Sequence, residues 1–88
     1  MNTPNNRILP VQLYTRPGCH LCDESEAELR RLGRRYPLRL EVLDITADPT
    51  LHARYWDMIP VLVVEGQEYP APLDARTIQG ALQTALCA

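Results

Sequence analysis

The 88-residue sequence contains no lysine; all nine basic side chains are arginine, a bias for which no physical reason is evident. It also lacks a long apolar run. The longest, Met58 to Val64, falls far short of the ~20 residues that a membrane-spanning helix needs. The amino terminus, Met1-Asn2-Thr3-Pro4-Asn5-Asn6, is polar and has none of the apolar stretch of a secretory signal. No excess of one charge stands out: with a net charge of −2, nothing draws the chain to nucleic acid or an anionic membrane. These absences predict a soluble, cytoplasmic protein with neither nucleic acid nor membrane as partner, and a monomer is expected. Cysteine is scarce. Three residues, an odd number, are too few for the disulfide framework of a small secreted scaffold. In a reducing compartment, a close pair points instead to catalysis or metal binding.

What is present is enough for one packed domain. The apolar fraction of 45% supports a core, and a chain of this length buries roughly 60–65% of its unfolded surface. Residues 1–9 read as a disordered lead-in and residues 10–88 as the domain, with no internal repeat or linker. Val11 to Thr15 is a strand candidate, bounded by Pro10 and by the Arg16-Pro17-Gly18 turn. From Cys19 to Tyr36 the period turns helical, with Leu21, Ser25, Leu29, Leu32 and Tyr36 on one stripe and Pro37 as the stop. Acidic residues lead this helix and Arg30, Arg31, Arg34 and Arg35 trail it, the polarity that the helix dipole favours. Leu38, Leu40 and Val42 then alternate as a strand. Asp48-Pro49 reads as the cap and first residue of a short helix to about Tyr55. Val61 to Val64 is a buried strand, Glu65-Gly66-Gln67 a turn, and Glu68-Tyr69 the returning arm, stopped by Pro70 and Pro72. Asp74 caps a last helix with Ile78, Ala81, Leu82, Ala85 and Leu86 on one stripe. The order β-α-β-α-β-β-α predicts an α/β fold: a four-stranded mixed sheet with helices on both faces.

The chemistry concentrates at Cys19-His20-Leu21-Cys22. Disulfide exchange needs one thiolate to attack and a second thiol close enough to release the mixed disulfide. At a helix start, free backbone N–H groups and the dipole favour negative charge on the first cysteine. Pro17-Gly18 makes the turn that presents Cys19 as nucleophile, and Cys22, one turn further in, is the resolving thiol. Arg16 adds to the pull on the thiolate, while Asp23 and Glu26 oppose it, each effect being of order 1 kcal/mol or less at a surface.

Tyr14-Thr15-Arg16-Pro17-Gly18-Cys19-His20-Leu21-Cys22 after a strand, with Ile59-Pro60-Val61 before another, resembles the glutaredoxins. With Asp44-Ile45, Asp48-Pro49 and Arg54-Tyr55, the likeness narrows to short glutaredoxin-like proteins of the thioredoxin superfamily, over residues 10–86. The resemblance implies a thioredoxin-like fold and a thiol–disulfide oxidoreductase with no bound cofactor. Its partners would be a disulfide-containing protein or a glutathione mixed disulfide and a reducing thiol system, with glutathione a candidate reductant. It implies that Pro60 is a cis-proline beside the dithiol and that the backbone of Ile59 pairs with bound peptide or glutathione. Arg16, His20, Ile59 and Pro60 are thus the candidate substrate-binding set. One segment departs. Glutaredoxins follow the hairpin with a Gly-Gly pair and then Asp or Cys-Asp, which hold the γ-glutamyl end of glutathione. Here the chain reads Tyr69-Pro70-Ala71-Pro72-Leu73-Asp74, and only Asp74 remains of that set.

Competing readings exist for each feature. Cys19 and Cys22 could be structural thiols or half of a zinc site; zinc wants four ligands, and only His20, His52 and Cys87 remain to supply them. His20 and His52 could be plain surface residues, and Cys87 an incidental thiol at a frayed terminus. The arginine group could be a nucleic-acid patch, but it lacks interleaved aromatics. Trp56 and Met58 could line a substrate groove or pack in the core. At the level of function, the alternative to an enzyme is a non-enzymatic module of the same fold that binds a protein partner, a metal or an iron–sulfur cluster.

Overall fold

Apolar side chains at alternate positions of residues 9–15 build the middle of the molecule. In a computed structural model of the chain, which describes residues 8–87, strand β1 runs Leu9–Thr15. It is followed by helix α1 (His20–Leu32), strand β2 (Leu38–Asp44), a single 3-10 turn (Ile45–Ala47) and helix α2 (Pro49–Tyr55). Strands β3 (Val61–Val64) and β4 (Gln67–Tyr69) and helix α3 (Ala75–Cys87) complete the order. The four strands form one sheet in the order β2-β1-β3-β4. β1 pairs in parallel with β2 from Leu9↔Leu38 to Thr15↔Asp44, and antiparallel with β3 from Val11↔Val64 to Tyr14↔Val61.

The two faces of β1 seed two cores. Leu9, Val11 and Leu13 pack with Leu62 and Val64 of β3 against Leu29 and Leu32 of α1 and Ile78, Ala81, Leu82 and Ala85 of α3. On the opposite face, Tyr14 and Val63 join Ile45, Tyr55 and Val61 under α2. Helices therefore cover both faces, because successive side chains of a strand point to opposite sides of the sheet. Three side chains cap helix starts: Cys19 for α1, Asp48 for α2 (accepting from Thr50 N–H at 2.8 Å) and Asp74 for α3 (accepting from Thr77 N–H at 2.7 Å). The β3–β4 hairpin turns on Glu65 and Gly66, both at positive φ (50° and 83°), as a two-residue turn matched to strand twist requires.

Several boundaries differ from the sequence reading. The expected lead-in falls mostly on residues 1–7, outside the described residues, but Leu9 lies in β1 and is fully buried. Pro10 sits within the strand rather than bounding it. The Leu9 N–H donates to Pro37 O of the β2 side at 2.8 Å, so the nitrogen of Pro10 faces the other way, where pairing with β3 begins only at Val11. Its missing N–H thus interrupts no ladder bond. Helix α1 stops at Leu32, not Tyr36. Gly33 closes it, and Arg34 and Arg35 follow in tighter turns, with N–H bonds three residues back to Arg31 and Leu32 at 3.2 and 2.9 Å. The buried stripe of α1 is Cys22, Ser25, Leu29 and Leu32, whereas Leu21 is 58% exposed.

Leu29 is fully buried between sheet and α3. Leu29→Ala should lower the free energy of unfolding by about 2–5 kcal/mol through lost burial and the cavity left behind. Denaturant unfolding should show this as a lower midpoint with an unchanged slope.

Candidate active site

The sheet register brings the dithiol and Pro60 to the same end of the molecule. Tyr14 of β1 faces Val61 of β3, so Pro60, one residue before Val61, stands across from Thr15, and Arg16-Pro17-Gly18 leads from there to Cys19. Gly18 makes this turn at φ +79°, a left-handed conformation that glycine adopts without steric cost. Cys19 then caps α1 in extended conformation (φ −91°, ψ 106°), and its Sγ accepts the Cys22 N–H at 3.1 Å. The two cysteines are joined as a disulfide with Cα atoms 5.2 Å apart. They are not equivalent: Cys19 is half-buried, and Cys22 is 1% exposed. Helix geometry causes this difference, since Cys22 heads the stripe that faces the core while the cap residue stays at the rim.

The other candidates surround this pair unequally. Arg16 is exposed on the turn before Cys19. His20 is exposed on the first turn of α1, with Nε2 2.8 Å from Glu24 Oε2. Pro60 is fully buried, and its peptide bond with Ile59 is cis. Ile59 is half-buried, and its N–H already donates to Tyr55 O at 3.2 Å, which limits the backbone pairing expected there to the carbonyl. Trp56 caps the C-terminus of α2 and is 58% exposed, so it does not pack in the core; Met58 is half-buried against Ile45, Tyr55 and Val61. His52 is a solvated residue of α2, and Cys87 is exposed at the end of α3, roughly 20 Å along that helix from Asp74. Arg30 and Arg31 pair with Glu26 and Glu28 on the solvated side of α1. Among the described residues no three of His, Cys, Asp and Glu gather as metal ligands.

Against the first turns of α1 lies a groove of about 210 Å³, lined by Leu21, the neighbour of Cys22, but by neither cysteine. Leu21, Glu24 and Ser25 of α1 form one wall, Pro60 the end, and Ala71, Pro72, Leu73 and Asp74 the other wall. The Ala71 N–H donates to Met58 O at 3.2 Å, which ties this second wall to the loop before Pro60, and the Ala71–Pro72 peptide is also cis. Asp74 is held below the usual carboxylate range, first by the Thr77 backbone N–H and then by the Thr77 hydroxyl. Sequence reasoning missed Leu21 and Ser25 as groove residues. Cys22, Ser25, Leu29 and Leu32 step by three, four and three residues, a helical stripe that becomes visible once a buried cysteine is counted as apolar.

A linkage behind the sheet fixes the Pro60 loop. Tyr55 stacks on Tyr14 with centroids 4.5 Å apart, and its hydroxyl donates to Glu68 Oε2 at 2.5 Å, which also accepts from Arg54 at 3.1 Å. Tyr55 O in turn receives the N–H groups of Met58 (2.9 Å) and Ile59.

With this geometry, comparison with known proteins is direct. A family profile described as Glutaredoxin-like domain (DUF836) matches residues 10–85. The chain belongs to that family. It is 30% identical over 64 residues to an uncharacterized protein of Mycobacterium bovis, covering 67% of this chain and 66% of that protein, so the chain spans about two thirds of this curated relative's length. Among solved structures, protein Ne2328 of Nitrosomonas europaea is similar at 35% identity and TM-score 0.76, over 93% of this chain and 99% of that one. Structural-genomics target XcR50 of X. campestris is similar at 32% identity and TM-score 0.73, over 85% and 97%. A mutant thioredoxin from Halobacterium salinarum, at 15% identity and TM-score 0.70 over 89% and 74%, shares the fold. The glutaredoxin-like chain therefore has a thioredoxin-like fold, with its cysteine pair at the helix start.

Burial, then the bond to Glu68, pushes Tyr55 up to about 12. Its neutral form is favoured in the folded state, so its contribution to stability is complete below the ordinary tyrosine value of about 10 and is lost as pH rises through about 12. Thermal unfolding between these pH values should show a falling midpoint that Tyr55→Phe makes shallower.

Proposed function

We propose that the protein is a thiol–disulfide oxidoreductase working through Cys19 and Cys22. The observation that carries this reading is the asymmetry of the pair: a rim sulfur capping a helix and a buried partner bonded to it. In the reduced protein, the Cys19 thiolate attacks one sulfur of a substrate disulfide, and the other leaves as a thiolate that takes up a proton. The substrate's first sulfur is now bonded to Cys19. Cys22, once deprotonated, attacks Cys19 Sγ, releasing the second substrate thiolate and closing the Cys19–Cys22 disulfide. Two electrons pass from the protein to the substrate, and an external thiol system, with glutathione a candidate, returns the pair to its reduced form.

The neighbours divide the remaining tasks. The N–H of Cys22 and the start of α1 favour negative charge on Cys19 Sγ. Arg16 and His20, both exposed and near Cys19 in sequence, are the candidate contacts for the incoming chain. Pro60 shapes the end of the groove, and the Ile59 carbonyl is its candidate backbone acceptor. This reading takes the protein as a monomer of a reducing, cytoplasmic compartment.

Reduction of insulin or a small disulfide by the prereduced protein tests the proposal. Cys19→Ser should bring the rate down to the uncatalysed background. Cys22→Ser should instead accumulate a mixed disulfide with substrate, visible as added mass on the intact protein. A wild-type protein that leaves every such disulfide untouched, with either glutathione or a thioredoxin-reductase system as reductant, would overturn it.

A further inference from the structure

We infer that the groove against the first turns of α1 accepts a protein segment carrying a cationic side chain next to its disulfide cysteine, and discriminates against glutathione. This inference rests on the exchange reading above and names its substrate class.

An anionic ligand needs N–H donors or cationic side chains, and the groove walls carry no cationic side chain and few N–H groups. Pro70 and Pro72 have no N–H, and that of Ala71 is already donated to Met58 O at 3.2 Å. At the start of α3, where free backbone N–H groups attract an anion, the Asp74 carboxylate already stands, its Oδ1 accepting the Thr77 N–H at 2.7 Å. No basic residue lines the groove. Arg76 follows Asp74 and bears on its charge, and Arg16 precedes Cys19, but neither is part of the walls. Both charged wall residues are acidic: Asp74 on one side, and on the other Glu24, which pairs through one oxygen with His20. Glutathione carries two carboxylates and one ammonium, so it brings a net negative charge to a groove whose two charged wall residues are both acidic. A lysine or arginine side chain meets the opposite situation.

A second observation points to a chain-like ligand. Ser25 lies on the groove wall at 3% exposure, and its hydroxyl has no hydrogen-bond partner among the described residues. Buried hydroxyls are ordinarily bonded, and an amide of a seated peptide would supply the partner. Leu21, Pro60 and Pro72 give the peptide apolar surface on either side. The covalent step is the one already written: the peptide disulfide is reduced, and Cys19 and Cys22 are oxidised.

Single-turnover reduction separates the cases. The prereduced protein is mixed with chromogenic disulfides of two blocked peptides, one with arginine and one with glutamate flanking the cysteine, and with oxidised glutathione. Each second-order rate is divided by the rate with dithiothreitol, which removes intrinsic differences among the disulfides. The arginine peptide should react about tenfold faster than the glutamate peptide or glutathione, the size expected of a few exposed charge pairs. In Glu24→Gln combined with Asp74→Asn, which keeps a capping side chain on α3, the ratio of the two peptides should approach one. A wild-type ratio near or below one, or a ratio that survives the double substitution, overturns the inference and leaves the exchange reading standing. No transfer from any of the three disulfides overturns both.

Discussion

The pairing of β1 with a neighbour on each side is the constraint on which the rest depends. Its parallel partner β2 fixes where α1 must start and stop, since the helix has to carry the chain back along the sheet. Its antiparallel partner β3 brings Pro60 to the end of the sheet from which the cysteine turn departs. Neither the dithiol nor the groove has a framework of its own. Both are end-products of a seven-residue strand whose Leu9, Val11 and Leu13 are completely buried.

The groove gathers three stretches of chain, and a different interaction holds each. The first turn of α1 is anchored by the core stripe that begins at Cys22. The Trp56–Pro60 loop hangs from the carbonyl of Tyr55, which the stack on Tyr14 and the bond to Glu68 fix in turn. The Pro70–Asp74 stretch is held at one end by Ala71 on Met58 and at the other by the cap on α3. Glu68, an exposed residue of an edge strand, thus helps to place a loop at the opposite end of β3.

Much of this is legible in the sequence. Turn chemistry locates the cysteine pair, the three helix starts and the hairpin, because Gly, Pro and Asp act through local geometry. The alternation in β1 and the continuous run of β3 give the sheet. What the sequence hides depends on partners distant along the chain. Pro10 reads as a strand boundary because the direction of its nitrogen is set by pairing with residues far away in sequence. Leu21 reads as part of the buried stripe because a leucine outweighs a cysteine on hydropathy, although packing chooses Cys22. The second wall of the groove shows in the sequence only as a missing glycine turn. The cap that Asp74 forms on α3 follows the capping rule, but that it also lines the groove depends on packing against α1.

The position of Cys19 as a helix cap has a reciprocal side. Whatever free energy the first turn of α1 contributes to holding charge on sulfur, the charged sulfur contributes to holding that turn, because the coupling between two equilibria is symmetric. The disulfide sulfur seen on the Cys22 N–H is a weaker acceptor than a thiolate would be. In the exchange proposed above, each cycle would therefore loosen and tighten the beginning of α1, including Leu21 and Glu24 on the groove wall. The groove's near wall would be firmest while the protein awaits a substrate and softest when it has just released one.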